Sequence, residues 1–479
     1  MNRIPRIMSL PLFAALLACL GGCSERPPSV LLITVDSLRS DQLGLERNGR
    51  QVAPNLARLE SRSLVFDKAF SPAPWTTPSV MSLMTGLPAP AHCVEEHDRA
   101  LATSIPTLAE RFKKAGYKTA AFAPAITLRP EYGFDRGFDD YHYEPFGHRR
   151  ISSPKIVSFV RQKLESWKGE PWFIWVHLWD PHYNYNPEPP YDEYFRRGAK
   201  PESEEVQRLK WEFEPVTGEE AEYLQGQYEG EVNYTDRYLG EMLDALESST
   251  GNGEVVVALL ADHGEAFLEH GWLGHTNRLD QPVVHVPLYL SWPERIPSAK
   301  QDDVVSTAQL GRTLLHLAGL EGETFGRHSL LPGIALEGKA AESASGVMSQ
   351  TVRRGCWTSW MEDEFKYVLE HRTCSEQLFD LSADPGEKND LSEKMPDVAA
   401  RMKESLRQEL ESIKATGYPC RSMPPEVIEQ TMQRLMSLGY AGKRPMPPGE
   451  KSAARDSFGD LAAQPCPKEY VWPCFSKPE

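Results

Sequence analysis

An α/β fold, with a mostly parallel sheet sandwiched by helices and a smaller C-terminal α+β domain, is what three observations in the sequence predict. Strand-like apolar runs alternate with helical periodicity from residue 29 to about residue 320. Several of these runs are apolar at nearly every position, as a strand covered on both faces must be. The chemically suggestive side chains stand at the carboxyl ends of such runs, where open parallel sheets build their ligand sites. The 479 residues are 40% hydrophobic, 10% aromatic and 25% charged, a globular composition that excludes a disordered, collagenous or coiled-coil chain.

The N-terminus comes first. Arg3 and Arg6 precede an apolar run from Ile7 to Leu20, which ends in Leu20, Gly21, Gly22 and Cys23. This reads as a secretory signal over residues 1–22, and its end is similar to a bacterial lipobox that makes Cys23 the lipidated first residue of the mature chain. A short membrane anchor is the other reading, but the run falls below the about 18 residues a span needs. The expected address is extracytoplasmic, lipid-anchored to a bacterial membrane, with Ser24 after the Cys favouring the outer membrane and hence periplasm or cell surface.

The first strand is SVLLITVDS, a continuous apolar run closed by Asp36. PNLARLESRS has helical spacing and LVFDKAF is strand-like. IPTLAERFKKAGYKTAAFAP reads as a Pro-started helix, a Gly stop and a strand. The alternation continues with helix SPKIVSFVRQKLESWKG, strand PWFIWVHLW, a long helix near EEAEYLQGQYEGEVNYTDRYLGEMLDALES and strand EVVVALLADHG. Between His182 and about Pro215 lies a Pro- and Glu-rich stretch expected to be a surface insertion. After PLYLSWP, helix STAQLGRTLLHLAGL closes a large domain placed at 23–344. A small α+β domain is expected at 345–441, with strands GVMSQTV and FKYVLE, the turn-rich LFDLSADPGEKNDL and helix PDVAARMKESLRQELESI. Residues 442–479 form a Pro-rich, Cys-containing tail.

Charge and cysteines narrow the function. A net charge of -16 opposes binding to a phosphate backbone, so no nucleic acid is expected as partner. Beyond the signal and Cys23, six cysteines remain: Cys93, Cys356, Cys374, Cys420, Cys466 and Cys474. In an oxidising compartment they allow up to three disulfides, with Cys356 to Cys374 and Cys466 to Cys474 as guesses on proximity alone, and free buried thiols as the other reading.

Three separated clusters carry chemistry: Asp36 after the first strand, the turn PWTTPSVMSLMTG around Thr76, and Asp262 with His263 in ADHGE. Asp36, Asp262 and His263 are oxygen and nitrogen donors suited to a divalent cation, and converging strand ends can bring them together. Any one of them alone is as readily a structural cap. The run after Thr76 reads as helical, which places its hydroxyl at a helix N-terminus, where dipole and free N–H groups favour an alkoxide or a bound oxyanion. An ordinary Thr N-cap is the competing reading.

These tracts together, LLITVDSLRSDQLG, APNLARLESRSLVFDKAF, SPAPWTTPSVMSLMTGL, TLAERFKKAGYKTAAF, WVHLWDPHYNY, ADHGEAFLEHGWLGH with HVPLYLSWP, and LFDLSADPGEKNDL, resemble the sulfatases of the alkaline phosphatase superfamily. The resemblance implies a divalent metal ion, calcium, magnesium, manganese or zinc, held by Asp36, Asp262 and His263, with Thr76 as nucleophile and fourth ligand. It also implies that His182 contacts substrate or leaving group, and that His275 falls where the family places a cationic substrate contact, able to bind the oxyanion or act as general acid. An exposed loop histidine is the other reading of His275. Arg39 is a candidate substrate contact or a surface ion pair, His177 reads as a core histidine, and His92 with Cys93 reads as a loop.

The departures matter as much. Family members that carry formylglycine have Cys or Ser followed by x-Pro-x-Arg, whereas here Thr76 cannot be so converted and Val80 replaces the Arg. Ser37 stands where many members have a second Asp. No formylglycine is expected, and Thr nucleophiles resemble those of the phosphoester branches. The resulting expectation is an envelope hydrolase of sulfate or phosphate esters, acting on glycan or lipid substrates. An envelope phosphotransferase and a catalytically silent binding protein are the rivals, the silent one disfavoured by the intact ligand set.

Overall fold

The computed structural model describes residues 26–437 except 146–151, 202–215, 251–254, 294, 321–324, 327, 332–345 and 353–355. The signal segment, Cys23 and the tail with Cys466 and Cys474 lie outside the described residues.

Eight strands form the central sheet: β1 (Ser29–Val35), β2 (Leu64–Phe70), β3 (Lys118–Ala123), β4 (Asp140–Tyr143), β5 (Trp172–Leu178), β6 (Val255–Ala261), β7 (Leu288–Ser291) and β8 (Ala299–Ser306). Their spatial order is β8-β2-β7-β6-β1-β5-β3-β4. Only β7 runs antiparallel to its neighbours. β1 lies between β5 and β6 in register, Val35 opposite Leu178 and Ala261. The three carboxyl ends that carry Asp36, the segment toward His182, and Asp262 therefore emerge side by side.

Strand period two explains the continuous apolar runs. Val30 and Leu32 join one core with Val80, Met81, Leu108, Phe112, Leu310 and Leu314, while Leu31, Ile33 and Val35 join another with Leu56, Leu59, Ile156, Val160, Met242 and Leu243. The first face is covered by α2 (Thr76–Thr85), α3 (Leu108–Lys114) and α6 (Leu310–Leu317), and the second by α1 (Pro54–Glu60), α4 (Ser153–Ser166) and α5 (Gly218–Thr250). Local signals fix several ends: a capping box between Thr107 and Glu110 starts α3, and Gly86 in the left-handed conformation stops α2.

Strand β8 was not legible in the sequence. It reads AKQDDVVS, and its charged, exposed residues suit a sheet edge that must not recruit another strand. Beyond it, β9 (Val347–Thr351), β10 (Trp357–Glu362), β11 (Phe365–Glu370) and β12 (Ser375–Asp380) form an antiparallel meander. Helix α7 (Pro396–Ala415) buries Ala399, Met402, Leu406, Leu410 and Ile413. Met348, Trp360 and Tyr367 of the meander share one continuous core with Met84 and Leu310 of the large sheet's helical layer.

Two cysteines correct the reading of His92 and Cys93 as a loop. Residues Ala89–His92 form a helical turn, and Cys93 is disulfide-bonded to Cys420, 327 residues away. Cys356 and Cys374 are disulfide-bonded as well. Among the described residues no helix is long and apolar enough to cross a membrane.

Candidate active site

Backbone hydrogen bonds between strand ends set the geometry. The Asp36 N–H donates to the Leu178 carbonyl at 2.9 Å and the Asp262 N–H to the Val35 carbonyl at 3.3 Å. Asp36 and Asp262 are thereby delivered, both fully buried, to one place beside His263. One ligand atom from each of the three lies within 4.8 Å of the others.

Helix α2, which begins at Thr76, is tied to the same place. Ser71 Oγ and Ser79 Oγ both donate to the Asp262 carbonyl, at 2.5 and 2.6 Å. Trp75 is the extended N-cap of α2 and Thr76 its first helical residue, so Thr76 is not the ordinary N-cap that its sequence also suggested. Its hydroxyl lies 3.4 Å from Asp36 Oδ2 and 3.5 Å from His263 Nε2. The hydroxyl thus stands at a helix N-terminus, whose dipole and free N–H groups suit an oxyanion.

Donor chemistry here fits a divalent cation. Burial works to raise the Asp36 carboxyl, but the facing His182, a hydrogen bond from His177 and the nearby His263 hold it well below the usual carboxylate range. Burial and the adjacent Asp36 charge push Asp262 well above that range. Burial and the neighbouring His275 push His263 down to about 3, so its ring is neutral and can offer a lone pair. Asp262 Oδ2 is buried without a hydrogen-bond donor. Among the described residues no Lys or Arg pairs with either carboxylate, and one has an unsatisfied oxygen, so this is a place where a dication relieves both repulsion and desolvation.

Ser37, at the position of the expected second Asp, contributes differently. With φ of 56° it turns its N–H to Asp262 Oδ1 at 3.2 Å and its Oγ to Asp36 Oδ1 at 2.8 Å. It orients both carboxylates and adds no charge.

The other candidates divide. His182 follows β5 on a tight turn, its ring stacked on Trp179 with centroids 3.9 Å apart, and its centroid is 5.4 Å from that of His275. His275 is buried, which excludes the exposed-loop reading, and its ring centroid is 4.3 Å from that of His263. Thr76, His182, His263 and His275 thus converge. Arg39 does not join them as a ready substrate contact: its guanidinium is committed to Asp41, to Glu269 and to the Glu265 carbonyl, and acts as a buried strut beneath the loop.

His177 is the core histidine its strand context suggests, and it also touches the site. It is fully buried, and its ring bridges Thr34 Oγ1 at 2.8 Å and Asp36 Oδ2 at 3.1 Å. Glu265 was missed, although it stands in ADHGE beside Asp262 and His263: fully buried, it lies 3.1 Å from His275 Nδ1. A second acidic cluster, His270, Asp280 and Glu387, is already compensated, because Lys366 pairs with Glu387 and Arg278 with Asp280.

Comparisons with known proteins agree with this architecture. A family model described as Sulfatase matches residues 28–320. The chain is 22% identical over 448 residues to the uncharacterized sulfatase YidJ of Escherichia coli strain K12, covering 81% of this chain and 88% of that one. It is 25% identical over 433 residues to the choline-sulfatase of Rhizobium meliloti, with 76% and 82% covered. Among solved structures, the phosphonate monoester hydrolase of Agrobacterium radiobacter superposes with a TM-score of 0.64 at 19% identity, over 83% of this chain and all (100%) of that one. A protein solved in complex with its substrate D-glucosamine-2-N,6-O-disulfate gives a TM-score of 0.67 at 15% identity, over 82% and 99%.

Proposed function

The chain belongs to the sulfatase family and is a sulfatase-like ester hydrolase, and on that premise we propose that it cleaves sulfate or phosphate esters with a divalent metal ion and Thr76 as nucleophile. The observation that carries this reading is the placing of the Thr76 hydroxyl 3.4 Å from Asp36 and 3.5 Å from His263, within the one group of metal-type donors that also includes Asp262.

Asp36, Asp262 and His263 would hold the ion, with Thr76 as the fourth ligand. When bound, such an ion lowers the hydroxyl's pKa and draws charge from the ester oxygens. The remaining chemistry belongs to the chain. Thr76 loses its proton to solvent, and its oxygen bonds to sulfur or phosphorus in line with the departing oxygen. The bond to that oxygen breaks with its electron pair, and a proton from His275 neutralises it, with His182 alongside as a further donor. The positive N-terminal end of α2 would stabilise the transferring oxyanion. Water then attacks sulfur or phosphorus and gives its proton back to His275, while the bond to Thr76 breaks with its electron pair and the Thr76 oxygen takes a proton from solvent.

No oxidised Cys or Ser enters this route, and the Thr nucleophile favours phosphorus esters as much as sulfur esters. The lipid anchor at Cys23 would hold the enzyme at a bacterial membrane facing envelope or imported glycans and lipids. Blocking lipoprotein processing would then shift the chain to its unprocessed size, and an unchanged size would remove the anchor from the account. Metal dependence is tested by chelating the soluble protein begun after Cys23 and adding back calcium, magnesium, manganese or zinc during ester hydrolysis. Restored turnover supports the reading, and turnover indifferent to chelation and add-back contradicts it.

A further inference from the structure

From the geometry around His275 we infer that Glu265 is the positioning residue for this histidine, fixing which ring nitrogen faces the ester's departing oxygen. The inference rests on the ester-hydrolase reading and deepens it. His275 Nδ1 lies 3.1 Å from Glu265 Oε1, and both side chains are buried. A carboxylate only accepts, so Nδ1 carries the hydrogen in that bond and Nε2 becomes the nitrogen turned to substrate. The fully buried Tyr185 stands beside Glu265, its phenol kept protonated by burial and by that carboxylate, and so able to donate to it. Arg39 holds the Glu265 carbonyl at 3.0 Å, and the Glu265 N–H donates to the Pro282 carbonyl at 3.0 Å. Neither the side chain nor the backbone of Glu265 is left to drift.

The loop carrying His275 is held from its other side as well. Thr276 has φ of 94°, a conformation that a β-branched residue adopts only under constraint. Its N–H donates to the Pro74 carbonyl at 2.8 Å, just before the nucleophile, and its carbonyl accepts from Thr351 Oγ1 at 2.8 Å. Strain kept in place by the nucleophile turn and by the C-terminal meander marks a ring whose position is determined from several directions. As the bond to the leaving oxygen breaks, the electron pair stays on that oxygen and takes the Nε2 proton of the doubly protonated ring, which leaves the neutral ring with its hydrogen on Nδ1 in the bond to Glu265.

The test compares esters with good and poor leaving groups, p-nitrophenyl and phenyl, on the metal-loaded enzyme. A donor to the departing oxygen matters most when that oxygen is basic. Glu265→Gln should lower kcat/KM by roughly 10-fold for p-nitrophenyl and on the order of 100-fold or more for phenyl esters, with Glu265→Asp recovering part of the difference. In a His275→Ala background the same Glu265→Gln change should add little. Equal losses for both esters, or an undiminished loss without His275, would overturn the assignment. Nitrogen-15 NMR of the histidine rings gives a readout independent of turnover: neutral His275 should carry its hydrogen on Nδ1, and a neutral ring protonated on Nε2 would overturn it. If the wild type turned over no ester while NMR showed the Nδ1 tautomer, the hydrolase reading would fail and the positioning by Glu265 would stand.

Discussion

His177 Nε2 lies 3.1 Å from Asp36 Oδ2, and the ring's other nitrogen is 2.8 Å from Thr34 Oγ1. Thr34 and His177 are register partners on adjacent parallel strands, so the sheet itself aims the imidazole at a metal-type carboxylate. Groups that hold a ligand this way set its orientation and basicity. His177→Leu should weaken divalent-metal binding by about 10–100-fold, measured by competition with a chelating dye. Unchanged affinity would return His177 to the role of core filler.

The Asp262 carboxyl predicts an opposite pair of effects. Its pKa stands well above the ordinary value because of burial and the Asp36 charge. A group raised in the fold binds more protons folded than unfolded, so its contribution makes the metal-free protein gain stability as pH falls from above the raised value. Asp262→Asn should therefore leave the metal-free protein as stable as wild type at neutral pH or more stable, while abolishing the rise in Tm on adding cation. A variant that still responds fully to metal would show that Asp262 is not a ligand.

Gly264 separates His263 from Glu265, and a Cβ built there would meet the Pro282 carbonyl oxygen at 2.1 Å. That neighbour is backbone and cannot step aside, so Gly264→Ala must shift both flanking side chains. Ester turnover should fall at least 100-fold, by the general observation that about 1 Å of misplacement costs that much, in protein that still shows a cooperative melt. Wild-type turnover would mean that this segment is more tolerant than its packing indicates.

The Cys93 to Cys420 bond closes a loop of 327 residues in sequence separation and secures the segment before the last described helix (Pro425–Ser437) to the turn after α2. Removing it by Cys420→Ser should cost about 2–4 kcal/mol in denaturant unfolding, with metal affinity retained. A loss of metal affinity equal to that of a ligand variant would tie this link directly to the site.

How much of this was legible follows from where information sits in the chain. Continuous runs such as SVLLITV and VVVALLA had to be strands covered on both faces, and Asp36, Thr76, Asp262 and His263 stood at their ends or at a helix start. Edge strand β8 stayed hidden because an edge needs charge rather than apolar periodicity. His177 looked like core because it is core; only the register of β1 against β5 reveals that it touches Asp36. Arg39 stood open between a substrate contact and an ion pair because sequence does not show that Asp41 and Glu269 close on it. The partner of Cys93 could not be read from spacing, since a pairing across most of the chain leaves no local mark.

The most direct measurement of the central claim is hydrolysis of p-nitrophenyl sulfate, p-nitrophenyl phosphate and bis-p-nitrophenyl phosphate by the metal-loaded wild type beside Thr76→Ala. The account predicts metal-dependent turnover of at least one ester by wild type and a loss on the order of a thousandfold or more in Thr76→Ala. Full turnover by Thr76→Ala, in protein purified free of wild-type enzyme, would contradict it.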